Sequence, residues 1–155
     1  MNIRFACAGD IPGILSLLRQ VGQVHHLGRP DIFRRGAQKY DESQIKAMLD
    51  KPEIPILIAA EGDCVLGYCF CFIKTYQNDP VIADHKELYI DDLCVDENCR
   101  GQRVGKTLYE AACDYARQIG CYNLTLNVWS CNESAMGFYK AMGMQPQKTG
   151  METIL

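Results

Sequence analysis

The chain has 155 residues, 48% of them hydrophobic and 23% charged, and a formal net charge of -3. That is enough chain to bury a full core, so residues 1–155 are expected to form a single domain. The acidic balance argues against a general nucleic-acid binder, and no run approaches the ~18 apolar residues that span a bilayer.

Ile3 to Cys7 reads as a short first strand. Asp10 is suited to cap a helix whose apolar positions are Ile11, Ile14, Leu15 and Leu18, with Pro12 tolerated in its first turn. From Gly22 to Gln38 the helical pattern breaks, and Gly and Pro punctuation predicts a loop with a short helical turn. Asp41 to Asp50 predicts a second helix, turned inward at Ile45, Met48 and Leu49 and stopped by Lys51-Pro52. The period then changes to that of strands. Ile56–Ala60 and Cys64–Lys74 flank the turn Glu61-Gly-Asp63 and predict a hairpin. Thr75 to Lys86 reads as a connecting loop, and Glu87 to Val95 as a further strand.

Gly105 to Ile119 carries the strongest helical pattern. Val104, Leu108, Ala111, Ala112, Tyr115 and Ile119 make its apolar stripe, and Gly120 stops it. Tyr122 to Trp129 predicts a strand. A last helix starts at Ser130-Cys-Asn132, carries Phe138, Tyr139 and Met142, and ends at Gly143. Met151 to Leu155 reads as a final strand. The order β-α-α-β-β-β-α-β-α-β predicts a mixed α/β (α+β) domain. Its helices flank a largely antiparallel sheet with some parallel pairing.

The nine cysteines are odd in number, follow no export signal and include no C-x-x-C pair. They are expected to be reduced thiols of a cytoplasmic protein. Cys69 and Cys71 alternate as strand residues do, but no second pair follows at ligand spacing, so no metal site is expected.

The segment from Val95 to Leu108 joins a strand to a helix through a polar loop that holds Arg100, Gly101, Gln102, Arg103, Val104, Gly105 and Lys106. Such a loop aims successive main-chain N–H groups at one spot, at the positive end of a helix dipole, and binds phosphate. Arg100, Arg103 and Lys106 oppose that dipole unless an anion sits among them. The placement fits a small anionic ligand better than a duplex.

Arg100-Gly-Gln-Arg-Val-Gly105 resembles the acetyl-CoA motif of the GNAT superfamily of N-acetyltransferases, Gln/Arg-x-x-Gly-x-Gly/Ala. Arg103 stands where that pattern has its middle glycine. The stretch from Asn127 to Gly143 resembles the family's last strand and helix. The resemblance implies a sheet with splayed central strands and acetyl-CoA as co-substrate. The diphosphate would lie on the N–H groups of Gln102 to Lys106. The pantetheine arm would lie along Leu93, Cys94 and Val95. Asn132 would contact the cofactor, and Tyr139 would protonate the departing thiolate. Asn132 is also a good N-cap whatever the function, and Tyr139 also suits a core aromatic beside Phe138.

The implied chemistry is attack of a neutral amine on a thioester. An alkylamine of pKa ~10.4 is neutral in only about one molecule in a few thousand at pH 7, so a base must take its proton. Asp91 and Asp92 are the candidates, Asp92 first, with Asp91 and Glu87 behind it. Neighbouring strand residues point to opposite faces, so only one of the two aspartates faces the acceptor unless a bulge intervenes. Asn127 either meets the acceptor or lines a solvated face, and His25 and His26 fall in the loop that borders the acceptor in similar proteins. Cys94 as an acetylated nucleophile lacks a pairing histidine.

The acceptor expected from the acidic strand is a cationic primary amine: a polyamine, an aminoglycoside or a lysine side chain. A protein N-terminus, as in ribosomal-protein acetyltransferases, is the alternative acceptor. A catalytically silent CoA-binding module is the alternative class. A homodimer is common in similar proteins.

Overall fold

Strand periodicity fills the middle of the chain, and there the sheet forms. The computed structural model describes residues 1–155. Its elements in order are β1 (Asn2–Phe5), α1 (Ile11–Gly28), α2 (Glu42–Leu49), β2 (Ile56–Glu61), β3 (Cys64–Tyr76), β4 (His85–Val95), α3 (Val104–Gln118), β5 (Asn123–Leu126) and α4 (Glu133–Ala141). The sheet runs β1-β2-β3-β4-β5, antiparallel up to β4, with β5 parallel to β4. The long crossover through α3 is what a parallel pair requires.

Each face of the sheet buries its own core. Ile14, Leu17 and Leu18 of α1 and Ile45 of α2 cover Ile56, Ile58, Tyr68 and Phe70. Val104, Leu108, Ala112 and Ala116 of α3 cover Leu57, Ala59, Cys69, Cys71, Leu88 and Ile90. A fully buried aliphatic side chain stabilises by about 1.5–3 kcal/mol, so these two stripes hold the helices to the sheet. All nine cysteines are free, and Cys69 and Cys71 lie side by side with their sulfurs 3.6 Å apart.

Several sequence expectations need correction, among them the strand Tyr122 to Trp129, which spans only Asn123–Leu126. α1 does not break at Gly22 but runs on to Gly28. A side chain at Gly22 would collide with the carbonyl oxygen of Ala37, so the glycine lets the following loop cross the helix rather than ending it. Asp10 makes no side-chain cap to α1. It is taken by the Arg4 guanidinium, at 2.7 and 2.8 Å, and by the Cys7 N–H. Thr75–Lys86 is not all loop, because β3 extends to Tyr76 and β4 begins at His85. Met151–Leu155 forms no strand. Met151 and Leu155 are exposed, and Glu152 is held instead by Arg29, 2.6 Å away.

Candidate active site

The sheet is irregular at one place, between β3 and β4. Phe70 pairs with Asp92 and Cys71 with Ile90, which leaves Asp91 as the extra residue of a β-bulge. The side chains record the consequence. Leu88 and Ile90 face α3 before the bulge, and Leu93 and Val95 do so after it. The alternation has therefore changed phase, and Asp91 and Asp92 both point to the opposite face, toward α1 and α2.

Each carboxylate has its own phenol. Tyr40 donates to Asp91 at 2.5 Å, and Tyr68 donates to Asp92 at 2.8 Å. The rings of Tyr40 and Tyr68 both pack on Phe70, at 5.3 and 5.0 Å between centroids. Lys39 lies 2.7 Å from Asp91. Asp92 has no cation of its own. Burial pushes its carboxyl up to about 6, against the weaker opposing pulls of the Tyr68 hydrogen bond and the more distant Lys39. A carboxylate with that affinity for a proton can accept one from an amine near neutral pH.

A gap opens beside these acids. β4 and β5 pair from Glu87↔Asn123 to Ile90↔Leu126, and β5 then ends while β4 continues to Val95. Asp96 N–H donates to Leu66 of β3 at 2.9 Å. Alternation then turns the main chain of Cys94 toward β3, and that of Leu93 and Val95 toward the gap. At the end of the gap lies the loop before α3. The N–H groups of Gln102 to Lys106 form no hydrogen bond to any main-chain carbonyl. Gly101 and Arg103 both have left-handed backbones, φ 77° and 64°. Free N–H groups at a helix start, with Arg100 and Lys106 alongside, form a cradle for an anion.

Paired acids, an open strand edge and a loop of free N–H groups thus follow one another along the chain from Asp91 to Lys106. Residues 22–144 match the profile of the acetyltransferase (GNAT) family. The chain belongs to that family. It is similar to a thialysine N-epsilon-acetyltransferase of Bos taurus, 28% identical over 92% of this chain and 83% of that one. It is also 30% identical to YhfO of Bacillus subtilis, an uncharacterized N-acetyltransferase, over 94% of this chain and 90% of the other. A mutant of the BH1408 protein of Bacillus halodurans has the same fold, with a TM-score of 0.94 and 31% identity over 100% of this chain and 99% of that one. The protein is thus a GNAT N-acetyltransferase, an enzyme acting on amines.

In this GNAT chain the remaining expected residues have partners of their own. Asn132 caps α4, its side chain accepting from Ala135 N–H at 3.1 Å. Tyr139 packs against Phe138 and Tyr109. Burial raises its pKa, and the charge of Asp92 adds to the effect, so the phenol keeps its proton at neutral pH. Asn127 is exposed and donates to the Tyr89 hydroxyl at 3.1 Å. His26 is bound to the Phe33 carbonyl, 2.7 Å away. His25 packs on the Phe33 ring, and burial, then Lys39, lowers its pKa. Both histidines belong to α1 rather than to the loop, and His26 holds that loop in place. Glu87 is buried and pairs with Lys74 at 3.5 Å. The Cys94 thiol is buried, donates to Leu17 O at 3.6 Å, and is pushed up to about 12 by that burial, which removes it as a nucleophile.

Sequence reasoning missed Lys39, Tyr40 and Tyr68. They meet the acids only through strand register and loop path, and none of the three has a local signal. A cavity of about 380 Å³ between Phe5, Pro52 and Tyr115 lies at the far edge of the sheet. Another, of about 270 Å³, lies along β4 and β5, lined by Lys74, Glu87, Tyr89 and Asn127.

Proposed function

We propose that residues 1–155 form one catalytic domain that transfers acetyl from acetyl-CoA to a cationic primary amine in a ternary complex. The observation that carries the reading is the bulge, which turns Asp91 and Asp92 to one face beside an open strand edge. The N–H groups of Gln102 to Lys106 hold the diphosphate, with Arg100 and Lys106 adding charge. Leu93 and Val95 hold the pantetheine arm by main-chain hydrogen bonds, and Asn132 fixes the α4 end of the site. Asp91 binds the acceptor as an ammonium, and Asp92 takes its proton. The neutral nitrogen then attacks the thioester carbonyl. Tyr139 donates its proton as the C–S bond breaks, so the thiol leaves neutral, and the second proton lost by the nitrogen restores the phenol.

The groove along Glu87, Tyr89 and Asn127 suits the rest of a polar acceptor. Lys74 sits 3.6 Å over the Tyr89 ring and 3.5 Å from Glu87, so both signs of charge are available there. That supports a small zwitterionic amine of the thialysine kind over a long polycation.

Release of thiol from acetyl-CoA tests this, with thialysine, lysine, spermidine, an aminoglycoside and an alanine-ended peptide as acceptors. Turnover is expected with thialysine first. Coenzyme A binding without turnover on any amine would reduce the protein to a cofactor-binding module. Fastest turnover with the peptide would make it an N-terminal acetyltransferase.

A further inference from the structure

The loop between α1 and α2 carries a primary amine of the chain itself into the candidate acceptor site. Lys39 Nζ lies 2.7 Å from Asp91 Oδ2 and donates to the Asp91 carbonyl at 3.0 Å. Its charge is felt at Asp92 and at His25. The Asp91 side chain is 14% exposed and that of Lys39 is 44% exposed. The ammonium therefore reaches in from solvent to a carboxylate of the catalytic face, which distinguishes the pair from an ordinary surface ion pair.

The loop is built to hold it there. Ala37 passes against Gly22, the Tyr40 ring packs on Phe70, and the Tyr40 hydroxyl donates to the same Asp91 carboxylate. His26 ties down the Phe33 carbonyl on the other side of the crossing. A tethered group of this kind meets its target at an effective concentration in the millimolar range or above. A free amine reaches the ammonium seat only by displacing Lys39.

Resting on the amine-acetylation reading above, we propose that Lys39 is an internal acceptor, acetylated by its own molecule when no other amine fills the site. Asp92 removes a proton from the Lys39 ammonium. The nitrogen forms a bond to the acetyl carbonyl carbon, the C–S bond breaks, the sulfur leaves with the proton of Tyr139, and the second proton lost by the nitrogen returns to the Tyr139 phenolate. The products are an N-acetyl amide at Lys39 and coenzyme A. The amide is neutral and no longer occupies Asp91 as a cation, so the reaction clears the seat for an external ammonium.

The full-length protein is incubated with acetyl-CoA and no amine, and acetylation of each lysine is followed in time by peptide mass spectrometry. Lys46, on the exposed side of α2, reports the uncatalysed background. The expected result is acetylation of Lys39 about tenfold or more faster than Lys46, a modest fraction of the usual gain from a positioned base. Its rate constant is independent of protein concentration and falls to the Lys46 value in Asp92→Asn. Equal rates at Lys39 and Lys46, a rate that grows with protein concentration, or an unchanged rate in Asp92→Asn would each overturn the proposal. The same preparation is assayed with thialysine. Thialysine turnover with Lys39 unmodified sinks self-acetylation alone, whereas loss of both sinks the parent reading too.

Discussion

Asp10 and Asp92 are both carried largely out of water by the fold, yet they end at opposite ends of the carboxyl range. Asp10 accepts two hydrogen bonds from the Arg4 guanidinium and one from Cys7 N–H, and the Arg4 bond chiefly pulls its pKa down to about 2. Asp92 receives one phenol, from Tyr68, and no cation in contact, and burial pushes it up to about 6. The first is a structural acid, permanently ionised and fully partnered at a chain corner. The second is under-partnered, and that deficit lets it exchange a proton at neutral pH. Exposure does not explain the difference, since Asp10 is the more buried of the two; the partners do.

The contrast can be broken hardest at Asp92. Asp92→Asn is expected to lower kcat by about 10²–10⁴-fold and to abolish the rise of rate with pH near 6, as read from the pH–rate profile. The same substitution should stabilise the fold. A carboxyl whose folded pKa lies above its unfolded value binds its proton more tightly when folded. Folding therefore loses stability as pH rises from about 4 to about 6, by about 3 kcal/mol in all. Denaturant unfolding should show Asp92→Asn to be more stable than the parent by about 1–3 kcal/mol at pH 8, and no more stable at pH 4.

Asp10→Asn should do the reverse. Its folded pKa is depressed, so its stabilisation is present above the ordinary carboxylate pKa and is lost as pH falls toward about 2. Thermal unfolding should show a lower Tm at pH 7 and convergence with the parent near pH 2. The kcat of the folded fraction should be unchanged. Tyr68→Phe sharpens the comparison more gently. It removes the bond that favours ionised Asp92, so the limb moves to higher pH, and kcat/KM at pH 6 should fall about two- to fivefold. Arg103→Gly is the smallest change. It relieves a left-handed arginine, worth about 1–2 kcal/mol, but adds glycine's unfolded-state entropy. A net gain of about 0.5 kcal/mol in denaturant unfolding is expected from those two terms.

Much of the fold was legible because its signals are local. The β-rich run of Cys64–Lys74, the stripe of Val104, Leu108 and Ala112, and the glycines at 120 and 143 each report their own surroundings. Gly22 misled because its reason lies in Ala37, fifteen residues away in sequence, and not in the helix. Met151–Leu155 looked like a strand but had no partner, since β5 pairs only with β4. The site divides in the same way. The cradle from Arg100 to Lys106 is continuous in sequence and could be read as a loop before a helix. The pairing of Asp91 with Asp92 on one face depends on a bulge, which exists only relative to β3. Tyr40 and Tyr68 stand 51 and 24 residues from the acids they hold, and no pattern within one element announces them.

The most direct measurement is the titration of the Asp92 carboxyl carbon by NMR, with Asp92→Asn used to assign its signal. A midpoint near 6, moving upward in Tyr68→Phe, is the expected result. A midpoint near 4 in the folded protein would contradict the account, because an acid of ordinary strength at the bulge would have no special claim to the acceptor's proton.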